Sequence, residues 1–147
     1  MAVPLIINGQ DVLSTERFEV VSPDTRETLW SCSSATRELA DAAVAAAAAA
    51  FPAWSSTKAS VRRAIFLRVA DILESRTPEL QQCMAQEIGA VQPFLSVNTS
   101  LSAELLRDLA GRISSALSGK IPVCEEDGTH ALVVREPYGV VLGIAPW

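Results

Sequence analysis

Val140-Val141-Leu142-Gly143-Ile144-Ala145 is a run with no polar side chain at any position. Successive side chains of a strand point to opposite faces, so a strand on the surface alternates apolar and polar residues. One that is apolar on both faces belongs inside a parallel sheet with helices above and below. Such a strand needs neighbours in its own sheet, yet the sequence reaches Trp147 two residues later and offers few other strands, all distant. The expectation is therefore a polypeptide cut just after the first strand of a larger α/β domain.

The remaining sequence reads as one unit over residues 1–147, since domains cluster near roughly 100–150 residues. With 49% hydrophobic and 20% charged residues it has the composition of a globular chain and not of a disordered one. Pro4-Leu5-Ile6-Ile7 followed by Asn8-Gly9 joins a short extended run to a strong turn signal. Phe18-Glu19-Val20-Val21 supplies a second run, which predicts an N-terminal β-hairpin with a long tip. Ser22-Pro23-Asp24-Thr25 marks a turn, with extended structure continuing over Thr28 to Ser31.

About four helices follow. Thr36 caps the first, Glu38 lies in its first turn, and the alanine tract Ala45 to Ala50 suits close packing before a stop at Pro52. Val61, Ile65, Val69, Ile72 and Leu73 recur at helical spacing, leaving Arg62, Arg63, Arg68 and Glu74 for the other face. Thr77 and Pro78 restart a helix as cap and first-turn residue, Gly89 ends it, and Cys83 and Met84 inside it read as packing groups. Leu101, Leu105, Leu109, Ile113 and Leu117 stripe a fourth helix at intervals of four, as core or interface, up to Gly119. Beyond the turn Glu125-Glu126-Asp127-Gly128, Ala131 to Arg135 and Val140 to Ala145 are expected to be strands. The fold class is thus an α/β fragment: a hairpin, the helices, then one or two strands beginning an incomplete Rossmann-like sheet.

Twelve basic and seventeen acidic residues give a net charge of −5, and no basic cluster exceeds Arg62-Arg63, so a phosphate backbone has no footprint to bind. Those two arginines could hold an anion; a solvated helix face is the preferred reading. The longest apolar run, Ala42 to Ala53, falls short of the roughly 20 residues that span a bilayer, and Met1 to Gln10 lacks a signal peptide's pattern. A cytoplasmic protein with neither nucleic-acid nor membrane partners is expected. Cys32, Cys83 and Cys124 are widely spaced and form no ligand motif, so reduced thiols are expected. His130, six residues after Cys124, would pair with it as base and nucleophile only if the intervening turn brought them together; a turn followed by a strand is preferred.

Several segments together carry a resemblance. They are Leu5-Ile6-Ile7-Asn8-Gly9, Ser22-Pro23, Ala47 to Trp54, Arg62-Arg63-Ala64-Ile65-Phe66-Leu67, Glu87-Ile88-Gly89, Arg135-Glu136-Pro137-Tyr138-Gly139-Val140-Val141 and Ile144-Ala145-Pro146-Trp147. The chain resembles the N-terminal portion of the NAD(P)-dependent aldehyde dehydrogenase superfamily. Within it, the wording of PYGVVLGIAPW and LLRDLAGRISS is most similar to salicylaldehyde and related aromatic aldehyde dehydrogenases.

The resemblance implies oxidation of an aldehyde to a carboxylic acid, with a cysteine thiolate as nucleophile, an asparagine holding the oxyanion, and a glutamate activating water. It also implies that all three lie beyond Trp147, and that none of Cys32, Cys83 and Cys124 inherits the nucleophile's role. The positions it assigns to the wall of the cofactor cleft are Ile144, Pro146 and Trp147, with no catalytic residue and no metal ligand. A catalytically inactive chain is expected, which does not bind NAD(P) alone and which self-associates or pairs with a full-length homologue. A fragment of an active enzyme is the alternative.

Overall fold

The computed structural model describes residues 2–145. Its elements, in chain order, are β1 (Ala2–Val3), β2 (Leu5–Ile7), β3 (Gln10–Val12), β4 (Arg17–Val21), β5 (Thr28–Ser33), α1 (Arg37–Ser55), α2 (Ala59–Ser75), α3 (Thr77–Ile88) and α4 (Gln92–Ala116). The expected α/β class, with a hairpin at the start and four helices after it, is what the chain forms.

The hairpin is tighter than expected. Asn8 and Gly9 take φ of 53° and 72°, and β2 pairs antiparallel with β3 straight across that two-residue turn. Positive φ at both central residues matches the twist of the flanking strands, so Asn-Gly closes the nearest hairpin available. Phe18–Val21 is therefore not the partner of Leu5–Ile7. It belongs to β4, which pairs antiparallel with β5, while β1 pairs parallel with the other edge of β5. The Ser22 turn forms as expected: the Ser22 hydroxyl oxygen accepts from the amides of Asp24 at 3.3 Å and Thr25 at 3.2 Å.

Thr36 caps α1, its hydroxyl oxygen accepting from the Leu39 amide at 3.4 Å. The helix does not stop at Pro52 but runs through it to Ser55. A proline so close to the end removes one intrahelical bond, and here the hydroxyls of Ser55 and Ser56 donate to the Pro52 carbonyl at 2.9 and 3.3 Å. The alanine tract is not closely packed, for α1 contains no buried residue.

The core lies between α2 and α4, which run antiparallel: Arg62 shares a cavity with Ala116 and Leu117, whereas Leu73 shares a groove with Asn98 and Ser102. Ala70 and Ala103 are 0% exposed, and Leu95 and Ala110 are also buried. The stripes that periodicity selects, Val61, Ile65, Val69 and Ile72 on α2 and Leu101, Leu105 and Leu109 on α4, remain exposed. Each helix carries two apolar faces, and the ones that meet centre on Ala70 of α2 and on Leu95, Ala103 and Ala110 of α4, with Phe66, Leu67 and Leu106 half-buried beside them. Thr77 does not cap α3; its hydroxyl donates to the Leu73 carbonyl, and Arg76 takes the cap position. Gly89 does end α3, in the left-handed conformation with φ of 66°. Cys83 is exposed, not packed.

After α4 the described residues make a single antiparallel bridge, Lys120 to Val133, with both hydrogen bonds at 2.9 Å. Gly119 permits it: a Cβ there would sit 2.5 Å from the Val133 carbonyl oxygen. Apart from that bridge, neither Ala131 to Arg135 nor Val140 to Ala145 enters a sheet among the described residues. The expected beginning of a Rossmann-like sheet is not formed, because a strand without a neighbour has no ladder to join.

Candidate functional site

Three places bring chemically capable groups together. The first is the apolar segment assigned to the cofactor wall. Ile144 is 88% exposed, while Pro146 and Trp147 lie outside the described residues. Only the start of the segment finds support. Gly139, Val140 and Val141 share a cavity of about 190 Å³ with Ala47, Ala50, Phe51 and Trp54 of α1. Two alanines and two aromatic side chains of α1 thus provide a shallow seat for the start of this extended run.

The second is a cavity of about 430 Å³ where the ends of α1 and α4 meet, lined by Arg62, Arg135, Glu136 and Tyr138 among others. Arg62 is not a solvated face residue. Its Nε donates to the Thr57 carbonyl at 3.1 Å and its Nη2 donates to the carbonyls of Trp54 and Ser55, both at 2.9 Å; the guanidinium lies 5.2 Å from the centre of a Trp54 ring. Arg135 Nε donates to the Ser118 carbonyl at 3.3 Å. A cation at a helix C-terminus satisfies orphan carbonyls and opposes the negative end of the dipole. Both arginines are therefore placed to close helices, with the donors Nε and Nη2 of Arg62 and Nε of Arg135 turned to main-chain carbonyls. Helical spacing could not show this for Arg62, whose partners lie in the preceding helix.

The third is the ion-paired junction of α2 and α4. Arg107 donates to Asp71 at 2.9 Å and to both carboxylate oxygens of Glu74, one of them at 2.8 Å. Hydrogen bonds from Arg107 hold the Glu74 carboxyl below the usual carboxylate range, and those carboxylates push the Arg107 guanidinium up. Arg76 likewise lowers Glu79. The acidic pair three residues apart on α2 was the sequence signal for a basic partner on a neighbouring helix, and it was missed.

Cys32 and Cys124 are half-buried, Cys83 is exposed, and all are free thiols. The contact of Cys124 Sγ is the Pro122 carbonyl at 4.0 Å, and no hydrogen bond joins it to His130. Among the described residues no group of three or more His, Cys, Asp or Glu side chains could hold a metal, and no helix is long and apolar enough to cross a membrane.

Comparison with known proteins assigns the architecture. The model of the aldehyde dehydrogenase family matches residues 11–147. A vanillin dehydrogenase of a Pseudomonas species is 43% identical over 147 residues, covering 99% of this chain and 30% of the relative. A salicylaldehyde dehydrogenase of Pseudomonas putida is 32% identical over 149 residues, covering 100% of this chain and 31% of the relative. Among solved structures, a salicylaldehyde dehydrogenase from Pseudomonas putida, complexed with salicylaldehyde, superposes with a TM-score of 0.86. It is 31% identical, and the match covers 93% of this chain and 28% of that one. An NAD-dependent benzaldehyde dehydrogenase from Corynebacterium glutamicum, with a TM-score of 0.79 at 24% identity over 88% of this chain and 29% of that one, shares the fold. The chain thus spans about 30% of the length of the curated relatives it matches. Hairpin, helices and apolar C-terminal run are accounted for together: this chain belongs to the aldehyde dehydrogenase family.

Proposed function

We propose that this chain is the part of an aromatic aldehyde dehydrogenase that frames one side of the cofactor domain, and that it supplies no reacting group of its own. The observation that carries the reading is the absence, among the described residues, of any assembled nucleophile and base: no hydrogen bond joins Cys124 to His130, and the cation that interacts with Cys83, Arg76, is a guanidinium bonded to Glu79 that cannot serve as a base. Covalent and oxyanion catalysis are both missing, so turnover by this chain alone is nil. In the complete enzyme, the reaction would be NAD(P)-dependent oxidation of an aldehyde such as vanillin or salicylaldehyde to its acid. Ile144, Pro146 and Trp147 would line the cleft once neighbouring strands are present. A dinucleotide is held by a glycine-rich turn and a helix N-terminus within an open sheet, and one unpaired strand offers neither, so NAD affinity is very weak. Unpaired, widely spaced thiols suit a reducing compartment, and the cytoplasm is the proposed location.

The test is NADH formation from salicylaldehyde, vanillin or benzaldehyde by the purified chain, with calorimetric titration of NAD in parallel. No turnover and no saturable binding are expected. A rate proportional to protein that disappears in Cys124→Ala, or a micromolar NAD affinity, would overturn the reading.

A second reading, as a non-enzymatic partner of a full-length relative, is favoured by the exposed surface. The chain exposes 11389 Å², against roughly 7,300 Å² for a folded monomer of its 15.7 kDa mass, an excess of about 4,000 Å². Co-elution with a full-length relative in size-exclusion chromatography tests it, and separate elution at micromolar concentrations of both would count against it.

A further inference from the structure

We infer that Trp54, its indole held by Arg62, is a positioning residue: it fixes where the run from Val140 departs from α1, and with it the direction of the segment that leads to the cofactor wall. The inference rests on the proposed function for what that segment is for, and on the chain's own contacts for everything else. Ala47, Ala50, Phe51 and Trp54 lie at i, i+3, i+4 and i+7, so they form one stripe of α1, and Gly139, Val140 and Val141 line the same cavity. Exposure rises along the run, from 48% at Val140 to 88% at Ile144. The run is therefore covered where it meets the stripe and bare beyond it.

Trp54 stands in the last turn of α1, where a large side chain keeps one position only if ring and backbone are both held. Arg62 holds both. Its Nη2 donates to the carbonyls of Trp54 and Ser55 and its Nε to that of Thr57, which fixes the guanidinium against the end of the helix. The same guanidinium lies 5.2 Å from the centre of a Trp54 ring, within range of the attraction between a cation and an aromatic face. A rigid planar fork can bond several carbonyls and stack on a ring at once; a lysine ammonium cannot. One indole thus answers to a cation on α2 and lines the cavity that takes Val140. At the other end of the segment, Arg135 is bound to the Ser118 carbonyl beyond α4, and Gly139 turns the chain with φ of 99°, a value that favours glycine. Residues 135–141 are therefore tied to the end of α4 at their start and seated beside Trp54 at their finish, with the turn between.

Nuclear Overhauser cross-peaks between the Phe51 ring and the Val140 methyl groups of this chain read the seat directly, and they are expected in the wild type. Arg62→Met removes the charge and the fork. It should weaken those cross-peaks about fivefold, equivalent to roughly 1 kcal/mol, the worth of one exposed cation–π contact, while the cross-peaks between α2 and α4 are kept. Arg63→Met, the same change at the exposed neighbouring position, should leave them at full strength. If Arg62→Met loses its helical circular dichroism, Trp54→Leu decides, because it removes the ring and leaves the main-chain carbonyls available to Arg62; the same weakening is expected. The inference is overturned if the wild type lacks the cross-peaks, if they persist undiminished in Arg62→Met or Trp54→Leu, or if Arg63→Met weakens them as much. Loss of helical circular dichroism in both Arg62→Met and Trp54→Leu also overturns it, since the pair would then be a requirement of the fold. Turnover or micromolar NAD binding by the chain would overturn the proposed function and leave these cross-peaks where they are.

Discussion

The α2–α4 pair and the segment that follows it are both rich in apolar residues, yet they meet opposite fates. In the pair, Ala70 and Ala103 are wholly buried and Arg107 ties the two helices through Asp71 and Glu74. In the segment, Val123 is 100% exposed and Leu142 83%. The difference is not hydrophobicity but where the backbone finds its hydrogen bonds. A helix satisfies its own amides and carbonyls and needs a partner only for one face, so two helices suffice for a small core. A strand satisfies none of them alone. The same free energy of burial that joins α2 to α4 therefore cannot be collected by Val140 to Ile144 until another strand arrives.

The sharpest challenge to this contrast is to damage the helical contact. Ala103→Leu inserts a bulky side chain where no space remains, and overpacking of this kind costs about 1–3 kcal/mol. A lower melting temperature followed by helical circular dichroism is the expected result. An unchanged melt would mean that the pair is loosely held and that the two regions differ less than their burial indicates.

A smaller, local effect is expected on the other side of the contrast. Gly119→Ala places a Cβ against the Val133 carbonyl oxygen and breaks the Lys120–Val133 bridge, whose two hydrogen bonds each contribute about 1 kcal/mol. Amide exchange should accelerate at Lys120 and Val133 while the amides of α2 and α4 keep their protection. Loss of protection in both regions would show that they fold as one cooperative unit.

The smallest effect concerns charge and pH. Glu74 is held below the ordinary carboxylate range in the folded chain, so its pairing stabilises the fold above roughly pH 4–5 and that contribution is lost as pH falls through the lowered folded value. Glu74 is solvent-exposed and Arg107 only half-buried, which keeps the contribution small. Arg107→Gln should lower the melting temperature slightly at pH 7, less than Ala103→Leu does, and leave the variant closer to wild type at pH 3. Parallel melting curves for the two proteins across that range would remove Arg107 from the account of the helix junction.

Much of this architecture was legible in local chemistry. Asn8-Gly9 had to turn, Thr36 had to cap, Gly89 had to end a helix, and each does so because the requirement lies within a few residues of the chain. The existence of four helices follows from the same local logic, but not all their ends: α1 runs through Pro52 to Ser55, and Arg76, not Thr77, caps α3. The assignment of the family follows from it as well, carried by short motifs spread over the whole chain.

Choices between equivalent options were not legible. Two extended runs could each have paired with Leu5–Ile7, and the two-residue turn favoured the nearer one. α2 and α4 each offered more than one apolar face, and the faces that met carry Ala70, Leu95, Ala103 and Ala110 with half-buried Phe66, Leu67 and Leu106 around them. Arg62 could have faced solvent or an anion, but the end of α1 was folded beside it and its carbonyls needed donors. In each case the deciding partner lies in another element, and its position depends on the packing of the whole chain. The apolar run from Val140 to Ala145 is the limiting instance: composition marks it as a buried strand, and whether it is buried depends entirely on which other backbone comes to lie beside it.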